Sequence, residues 1–346
     1  MLKPCARLLN RFFLAAALLL SAFAGTAQPD LIREEGFVSI NGSEQWITVT
    51  GDRSKPVILF LHGGPGSVMS AYTNSFFKEW EKDYIFVQWD QRGAGRTYGR
   101  TAPEELSPAF LKEHPLSTEQ MISDGIRVAE YLTHHLRKKK IILFGTSWGS
   151  VLGIQMAAIR PDLFTAYIGH SQLIYPSENF KLAYQEVTGM AKAANDQAAL
   201  QTLAALGAPP YDTARQAGQL MRIIKKYEKL HTKNDISFEL SPEYDNEKDE
   251  QFRSDGDDYS FVFFTGDKRL GVAPMNRPAS PKVFEIPVFL IQGKEDILTP
   301  ASISKPYFDA IKAPRKEYFL LPQAAHGFNS DVVKTIFIIA GKLNTQ

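Results

Sequence analysis

A serine, an aspartate and a histidine follow one another along the chain, each in a short motif of small or turn-forming residues. Ser147 is the centre of the pentapeptide GTSWG, Asp296 ends the turn GKED, and His326 lies in QAAHGF. These side chains can supply a nucleophile, a general base, and a carboxylate that holds the tautomer of the base. Together they predict acyl transfer through a covalent acyl-enzyme, with Ser147, Asp296 and His326 as the catalytic residues.

The glycines around Ser147 fit the G-x-S-x-G pattern, in which the serine occupies a cramped turn between a strand and a helix. Bulky residues two positions away would collide with the backbone there. The pattern also occurs by chance, and the alternative is a glycine-lined turn with a buried serine. A strand-like run at residues 141–144 precedes Ser147 and a helix-like run follows it, so the context favours a nucleophile.

The base and its acid are assigned from their places after late strands. The chain has seven histidines. Only His326 lies in a small-residue loop directly after a predicted late strand, whereas the others are expected at the surface, at helix ends, in the core or in an early loop (His62, His114, His134, His135, His170 and His231). Asp296 also follows a strand, and ligands bind at the carboxyl ends of strands in open α/β sheets. Glu295 is the alternative acid, but the G-x-x-D turn favours Asp296.

The segment HGGPG, residues 62–66, predicts a backbone binding site for negative charge. Glycine lets the backbone approach a ligand closely, and proline stiffens the turn. We expect the N–H groups of Gly64 and Trp148 to form the oxyanion hole. His62 is expected to hold this loop rather than to act as a base.

Alternating strand-like and helix-like patterns predict the α/β framework that carries these residues. Asn41-Gly42 predicts a hairpin turn, and short apolar runs at 57–61 and 84–89 predict buried strands. Residues 28–170 and 284–346 are assigned to the core. Residues 171–283 are assigned to a helical cap, with helices expected at 180–190, 198–206 and 216–231 and a solvated acidic loop at 241–258.

The first 27 residues have the layout of a secretory signal peptide. Lys3, Arg7 and Arg11 precede an apolar run at 12–23 and then small residues, with cleavage expected after Ala24 or Ala27. The alternative is a retained membrane anchor, for which the apolar run is short. We therefore expect export to the periplasm or the medium, with no stable membrane anchor after cleavage. The single cysteine, Cys5, would be removed, which leaves a mature chain without thiol chemistry.

Composition excludes several other classes of function. The net charge is +1, which gives no case for nucleic acid as a partner. No H-E-x-x-H motif is present, and Tyr98 holds the third position of an incomplete G-x-G-x-x-G. The sequence therefore predicts no metal and no cofactor, and a small peptide, ester or amide as substrate. It leaves the oligomeric state open.

Three motifs together resemble the proline iminopeptidase-like α/β-hydrolases, a family of serine peptidases. They are HGGPG at 62–66, DQRGAGRT at 90–97 and GTSWGS at 145–150, and the resemblance covers residues 36–160 and 288–328. It implies an α/β-hydrolase fold with a mostly parallel sheet and an inserted helical cap, the same triad, and the Gly64/Trp148 oxyanion hole. Family members often release N-terminal residues, commonly proline, from small peptides.

In these aminopeptidases acidic cap residues hold the free amine of the substrate, often in a Trp-Glu pair. The predicted cap contains no tryptophan, and Glu178 and Glu186 are its early acidic candidates, with ordinary solvated helix residues as the alternative. The expected function is an aminopeptidase that releases proline or another small residue. An esterase or amidase without a need for a free amine, and a catalytically idle binding protein, are the other two hypotheses.

Overall fold

The computed structural model describes residues 30–72, 75, 77–233 and 235–343. The predicted signal peptide, residues 1–27, lies outside the described residues. Within these ranges no helix has both the length and the apolar character that a membrane crossing requires.

Eight strands form one sheet in the order β1-β2-β4-β3-β5-β6-β7-β8. Their bounds are β1 (Leu31–Ile40), β2 (Ser43–Asp52), β3 (Val57–Leu61), β4 (Ile85–Trp89), β5 (Ile141–Thr146), β6 (Phe164–His170), β7 (Val288–Gly293) and β8 (Lys316–Leu321). β2 pairs antiparallel with β1 and β4, and the other pairs are parallel. The strands from β3 to β8 therefore present their carboxyl ends at one edge.

The predicted hairpin and buried strands are present. Asn41 and Gly42 both have positive φ, 47° and 77°, as a two-residue type I′ turn requires. β3, β4 and β5 are buried at every position. Alternate residues of β3 enter different apolar clusters, with Ile58 and Phe60 on one face and Leu59 on the other. Such runs form strands because both faces of the sheet are covered.

Ten α-helices of the described chain cover the sheet and build the cap. They are α1 (Gly95–Gly99), α2 (Pro108–Glu113), α3 (Thr118–His135), α4 (Trp148–Ile159), α5 (Pro176–Ala193), α6 (Gln197–Leu206), α7 (Ala214–His231), α8 (Glu247–Thr265), α9 (Ala301–Ala310) and α10 (Ser330–Leu343). Ser117 satisfies the N-terminus of α3, since its hydroxyl accepts a hydrogen bond from the N–H of Gln120 at 3.1 Å.

Helices α5 to α8 lie within the predicted cap segment, 171–283. Buried residues of α5, α6 and α7, among them Val187, Leu203 and Ile224, share an apolar cluster with Ile297 and Leu298 of the core. Because this cluster includes residues that follow β7, the cap packs directly on the loop that carries Asp296.

The prediction of a solvated loop at 241–258 is wrong for most of that stretch, because α8 occupies residues 247–265. Asn246 begins this helix by accepting a hydrogen bond from the N–H of Asp249 at 3.0 Å. Acidic residues in a first turn are stabilised by the helix dipole. The helix buries Tyr259, Phe263 and Phe264 against the main core. The helix was not predicted because the first half of the segment is mostly charged, and its apolar face begins only in the second half.

Candidate active site

Ser147 lies on a sharp turn between β5 and α4, with φ 51° and ψ −119°. A side chain at either flanking glycine would collide with backbone. A Cβ atom on Gly149 would lie 2.1 Å from the carbonyl oxygen of Leu61, and one on Gly145 would lie 2.5 Å from the oxygen of Gly149. The turn is thus possible only with these glycines, and it holds Ser147 in a conformation that a non-glycine residue rarely adopts.

Ser147, His326 and Asp296 form a continuous line of hydrogen bonds. The Oγ of Ser147 is 2.9 Å from Nε2 of His326, and Nδ1 of His326 is 3.2 Å from both carboxylate oxygens of Asp296. A neutral imidazole with its proton on Nδ1 donates to Asp296 and leaves Nε2 free to accept from the serine hydroxyl. The structure therefore brings together the three residues that the sequence separates by 179 and 30 positions.

Asp296 is buried but well supplied with donors. Thr299 donates from its N–H and from its hydroxyl, each at 2.6 Å, and Gln292 donates from Nε2 at 2.9 Å. Burial by itself would raise the pKa of Asp296, but the charge and hydrogen bond of His326 and the two hydrogen bonds from Thr299 overcome it and hold the pKa below its ordinary value. The carboxylate therefore stays ionised and can stabilise an imidazolium.

Two charged groups of α7, together with Asp296, influence the pKa of His326. Burial lowers its pKa, Asp296 and Glu228 raise it, and Lys225 lowers it, with a net rise above the ordinary value. Glu228 is 7% exposed and accepts hydrogen bonds at Oε1 from the N–H groups of Ile297, at 2.8 Å, and Leu298, at 3.4 Å. Burial, followed by the charge of Asp296, raises the pKa of Glu228 to about 7.

Sequence reasoning missed Glu228, although a signal was present. Leu220, Ile224 and Tyr227 mark the buried face of α7, and Glu228 lies on that face one turn after Ile224. A carboxylate on the apolar face of an amphipathic helix needs a partner inside the protein. The amphipathic pattern of α7 was sufficient to identify Glu228 as a buried carboxylate. It could not show that Glu228 binds the loop after Asp296.

The glycine loop lies directly against Ser147. A Cβ atom on Gly63 would be 3.2 Å from Cβ of Ser147, and Gly64 has φ 103°. His62 accepts at Nε2 from the N–H of Gln91, at 3.2 Å, and donates from Nδ1 to the carbonyl oxygen of Gly63, at 2.9 Å. Burial lowers the pKa of His62 to about 4, so it is neutral and fixes the loop.

The two expected oxyanion donors come from the two segments that meet at Ser147, namely the glycine loop and the start of α4. The N–H of Trp148 is the first of α4, where backbone donors lack intrahelical acceptors. Gly64 follows the glycine that faces Ser147. The role of both N–H groups stays a prediction.

A third carboxylate, Asp257 of α8, borders the glycine loop. It accepts a hydrogen bond from the Ser67 hydroxyl at 2.6 Å, and burial raises its pKa. A Cβ atom on Gly66 would lie 2.6 Å from Cα of Asp257, so the helix and loop are in close contact. Asp257 was missed because its segment was interpreted as a loop.

The early cap glutamates are both surface residues. Glu178 is exposed and forms an ion pair with Lys181 at 2.9 Å. Glu186 is exposed and lines a groove with Glu295 and Asp296. No described hydrogen bond or ion pair joins either residue to Ser147 or His326.

His170 is the remaining buried histidine, and it contacts a neighbouring strand residue. His170 contacts the Thr146 hydroxyl at 2.9 Å through Nδ1, and burial lowers its pKa to about 3. Among the described residues, no three histidine, cysteine, aspartate or glutamate side chains are placed to hold a metal ion.

Comparison with known proteins agrees with this architecture. The chain is 29% identical over 302 residues to a probable aminopeptidase of Bacillus subtilis, which covers 84% of this chain and 89% of that protein. It is 32% identical over 123 residues to a probable proline iminopeptidase of Streptomyces coelicolor, in an alignment that covers 36% of this chain and 34% of that protein.

A crystal structure of a proline iminopeptidase from Mycobacterium smegmatis shares the fold, with a TM-score of 0.59 and 17% identity over 90% of this chain and 98% of that chain. The resemblance and the fold class predicted from the motifs are thus confirmed. Residues 56–331 match the family model described as alpha/beta hydrolase fold, and the chain belongs to that family.

Proposed function

We propose that this member of the family is a serine hydrolase that works through an acyl-enzyme. The observation that carries the proposal is the line of hydrogen bonds from Ser147 through His326 to Asp296. A serine on a strained turn, a neutral base at 2.9 Å and a buried, ionised acid are the parts that nucleophilic catalysis requires.

The reaction follows from this geometry. His326 takes the hydroxyl proton as Ser147 Oγ attacks the substrate carbonyl, and Asp296 stabilises the imidazolium. The N–H groups of Gly64 and Trp148 receive the oxyanion, each worth about 3 kcal/mol of transition-state stabilisation. His326 then donates its proton to the leaving group, and a water molecule, activated by the same imidazole, hydrolyses the acyl-enzyme.

The proposed substrate is a short peptide with a free N-terminal proline or other small residue. Glu228 supports this choice, because it is a buried carboxylate whose charge acts on His326. Its Oε1 holds the loop after Asp296, and no described hydrogen bond uses its Oε2. We assign the Oε2 side of Glu228 to the substrate ammonium, in place of Glu178 and Glu186. The relative named probable aminopeptidase is consistent with this assignment.

An esterase or amidase is the second candidate, and one observation favours it. Lys225 lies one turn before Glu228 on α7, and its charge lowers the pKa of His326. A positive group beside the base opposes an ammonium and favours a neutral substrate. Export to the periplasm or the medium is part of the proposal and depends on the signal-peptide pattern at residues 1–27.

The deciding experiment compares kcat/KM for a proline arylamide, its N-acetylated form and a short acyl ester. A preference for the free amine of a hundredfold or more is the result expected of an aminopeptidase. Equal or faster turnover of the blocked amide or the ester would instead make the protein an esterase or amidase.

Ser147→Ala is the control for the chemistry in the same assay. It should lower kcat by several orders of magnitude. It should also abolish labelling by a serine-reactive phosphonate. Wild-type protein that is neither labelled nor active on any of the three substrates would leave the fold as a binding protein.

A further inference from the structure

A cavity of about 350 Å³ lies between the start of α5, the start of α7 and the end of α8. Its walls are mostly apolar and include Phe180, Pro210, Tyr211, Phe264 and Pro274. A space of this size takes one or two amino-acid residues, and its apolar lining suits a hydrophobic side chain.

Arg277 brings a positive charge into this apolar space. Its guanidinium carbon lies 5.0 Å from the ring centre of Phe264, and its Nη1 donates to the carbonyl oxygen of Phe264 at 2.9 Å. Among the described residues no carboxylate forms an ion pair with it, whereas Lys181 at the same cavity is paired with Glu178. Burial lowers the pKa of Arg277, as expected for a cation without an anionic partner.

An arginine that is half-buried without a carboxylate indicates a ligand that supplies one. The guanidinium presents a planar fork of N–H groups that matches a carboxylate with two parallel hydrogen bonds. Desolvating such a charge is unfavourable unless an anion compensates it. The combination of an apolar wall and one fork therefore fits an apolar carboxylate.

One wall residue of the cavity contacts the residue that follows Ser147. Phe264 forms part of its wall and also contacts the Trp148 ring edge-on, with 5.7 Å between ring centres. Trp148 directly follows Ser147 and is the proposed oxyanion donor. A chain of two or three residues spans about 7–10 Å, which is the length over which a short peptide would extend from Ser147 into the cavity.

We propose that this cavity binds the C-terminal end of a short peptide, with Arg277 as the ligand of the free carboxylate and the apolar walls around the last side chain. The inference rests on the proposed function, since the leaving group of an aminopeptidase carries that carboxylate. It makes di- and tripeptides the substrate class and disfavours long or C-terminally blocked chains.

Calorimetric titration of Ser147→Ala protein tests the cavity without turnover. The probes are the dipeptide Pro-Leu and its C-terminal amide. We expect the free acid to bind about tenfold tighter or more, because a hydrogen bond to a charged group is lost in the amide. Arg277→Gln in the same background should bring the ratio of the two dissociation constants close to one. Arg269→Gln, at an exposed arginine paired with Asp267, should leave the ratio intact.

A second variant separates a local effect from misfolding. Arg277→Lys keeps the charge without the fork and should retain part of the preference for the free acid. Equal binding of acid and amide by the Ser147→Ala protein, or an undiminished ratio in Arg277→Gln, would overturn the proposal. Failure of the proposed function shows separately, as absent turnover of both the proline arylamide and the free dipeptide Pro-Leu by the wild-type protein.

Discussion

The carboxylate of Glu228 accepts a hydrogen bond, 2.8 Å long, from the backbone N–H of Ile297, the residue directly after Asp296. Glu228 belongs to the cap helix α7, and Asp296 belongs to the core. Ile224 of α7 also shares an apolar cluster with Ile297 and Leu298. Helix α7 therefore contacts the loop that carries Asp296 through both a polar and an apolar contact.

Replacement of Glu228 should separate its two contacts. Glu228→Gln keeps an acceptor for the N–H of Ile297 but removes the charge, and it should reduce the preference for a free amine over the acetylated substrate about tenfold or more. Glu228→Ala should in addition lower kcat on both substrates, because the buried N–H loses its acceptor. Glu285→Gln, at an exposed residue, is the control. A larger loss of amine preference in Glu186→Gln would return the anchor to the early cap.

The pH dependence of kcat/KM should report the charges around His326. The base must be neutral, so activity is present above its pKa and is lost as pH falls through it; because that pKa is raised, the loss should be centred above the ordinary value of about 6.5. Asp296 and Glu228 raise this pKa, and Lys225 lowers it. The acidic limb of the kcat/KM profile should therefore move to lower pH in Glu228→Gln and to higher pH in Lys225→Met. Shifts of the same sign in both variants, or no shift in either, would contradict these electrostatic assignments.

The turn at Ser147 should not tolerate a single added methyl group. Gly149→Ala would place Cβ 2.1 Å from the oxygen of Leu61, so we expect lost phosphonate labelling and a lower thermal midpoint. Gly189→Ala is the matched control, because nothing lies within 4 Å of a Cβ there. Gly189 is inside α5, and alanine should stabilise it by up to about 1 kcal/mol. A fully labelled, stable Gly149→Ala protein would contradict the structure of the turn.

The buried carboxylate of Asp124 should be a main determinant of stability. It accepts from Arg92 at 2.6 Å and 3.2 Å, from Gln45 at 2.9 Å and from Asn41 at 2.9 Å. Asp124→Ala leaves the Arg92 guanidinium without its partner and should lower the free energy of unfolding by about 3–5 kcal/mol in urea titration. Asp309→Ala, which breaks an exposed pair with Lys305, should cost less than about 1 kcal/mol. Equal effects would mean that burial of Asp124 carries no energetic weight.

Features with a local cause were readable from the sequence. The turn at Ser147 and the type I′ hairpin each depend on a few neighbouring residues and their backbone preferences. The positions of Asp296 and His326 followed from one further rule, that parallel strands bring their carboxyl ends to one edge. The helix α8 was missed because its first half is nearly all polar, and its apolar residues contact a core that the segment itself does not reveal.

The sequence by itself thus determined the fold class, the hairpin and the three residues of the proposed triad, since each is written in short motifs. Only the tertiary structure decided which carboxylates and cations surround that triad. Glu228, Asp257 and Arg277 come from separate parts of the cap segment, and their environments depend on how helices pack on the core. Burial and long-range contacts set the pKa of Glu228 and leave Arg277 without an anionic partner among the described residues, and neither property can be read from a linear chain.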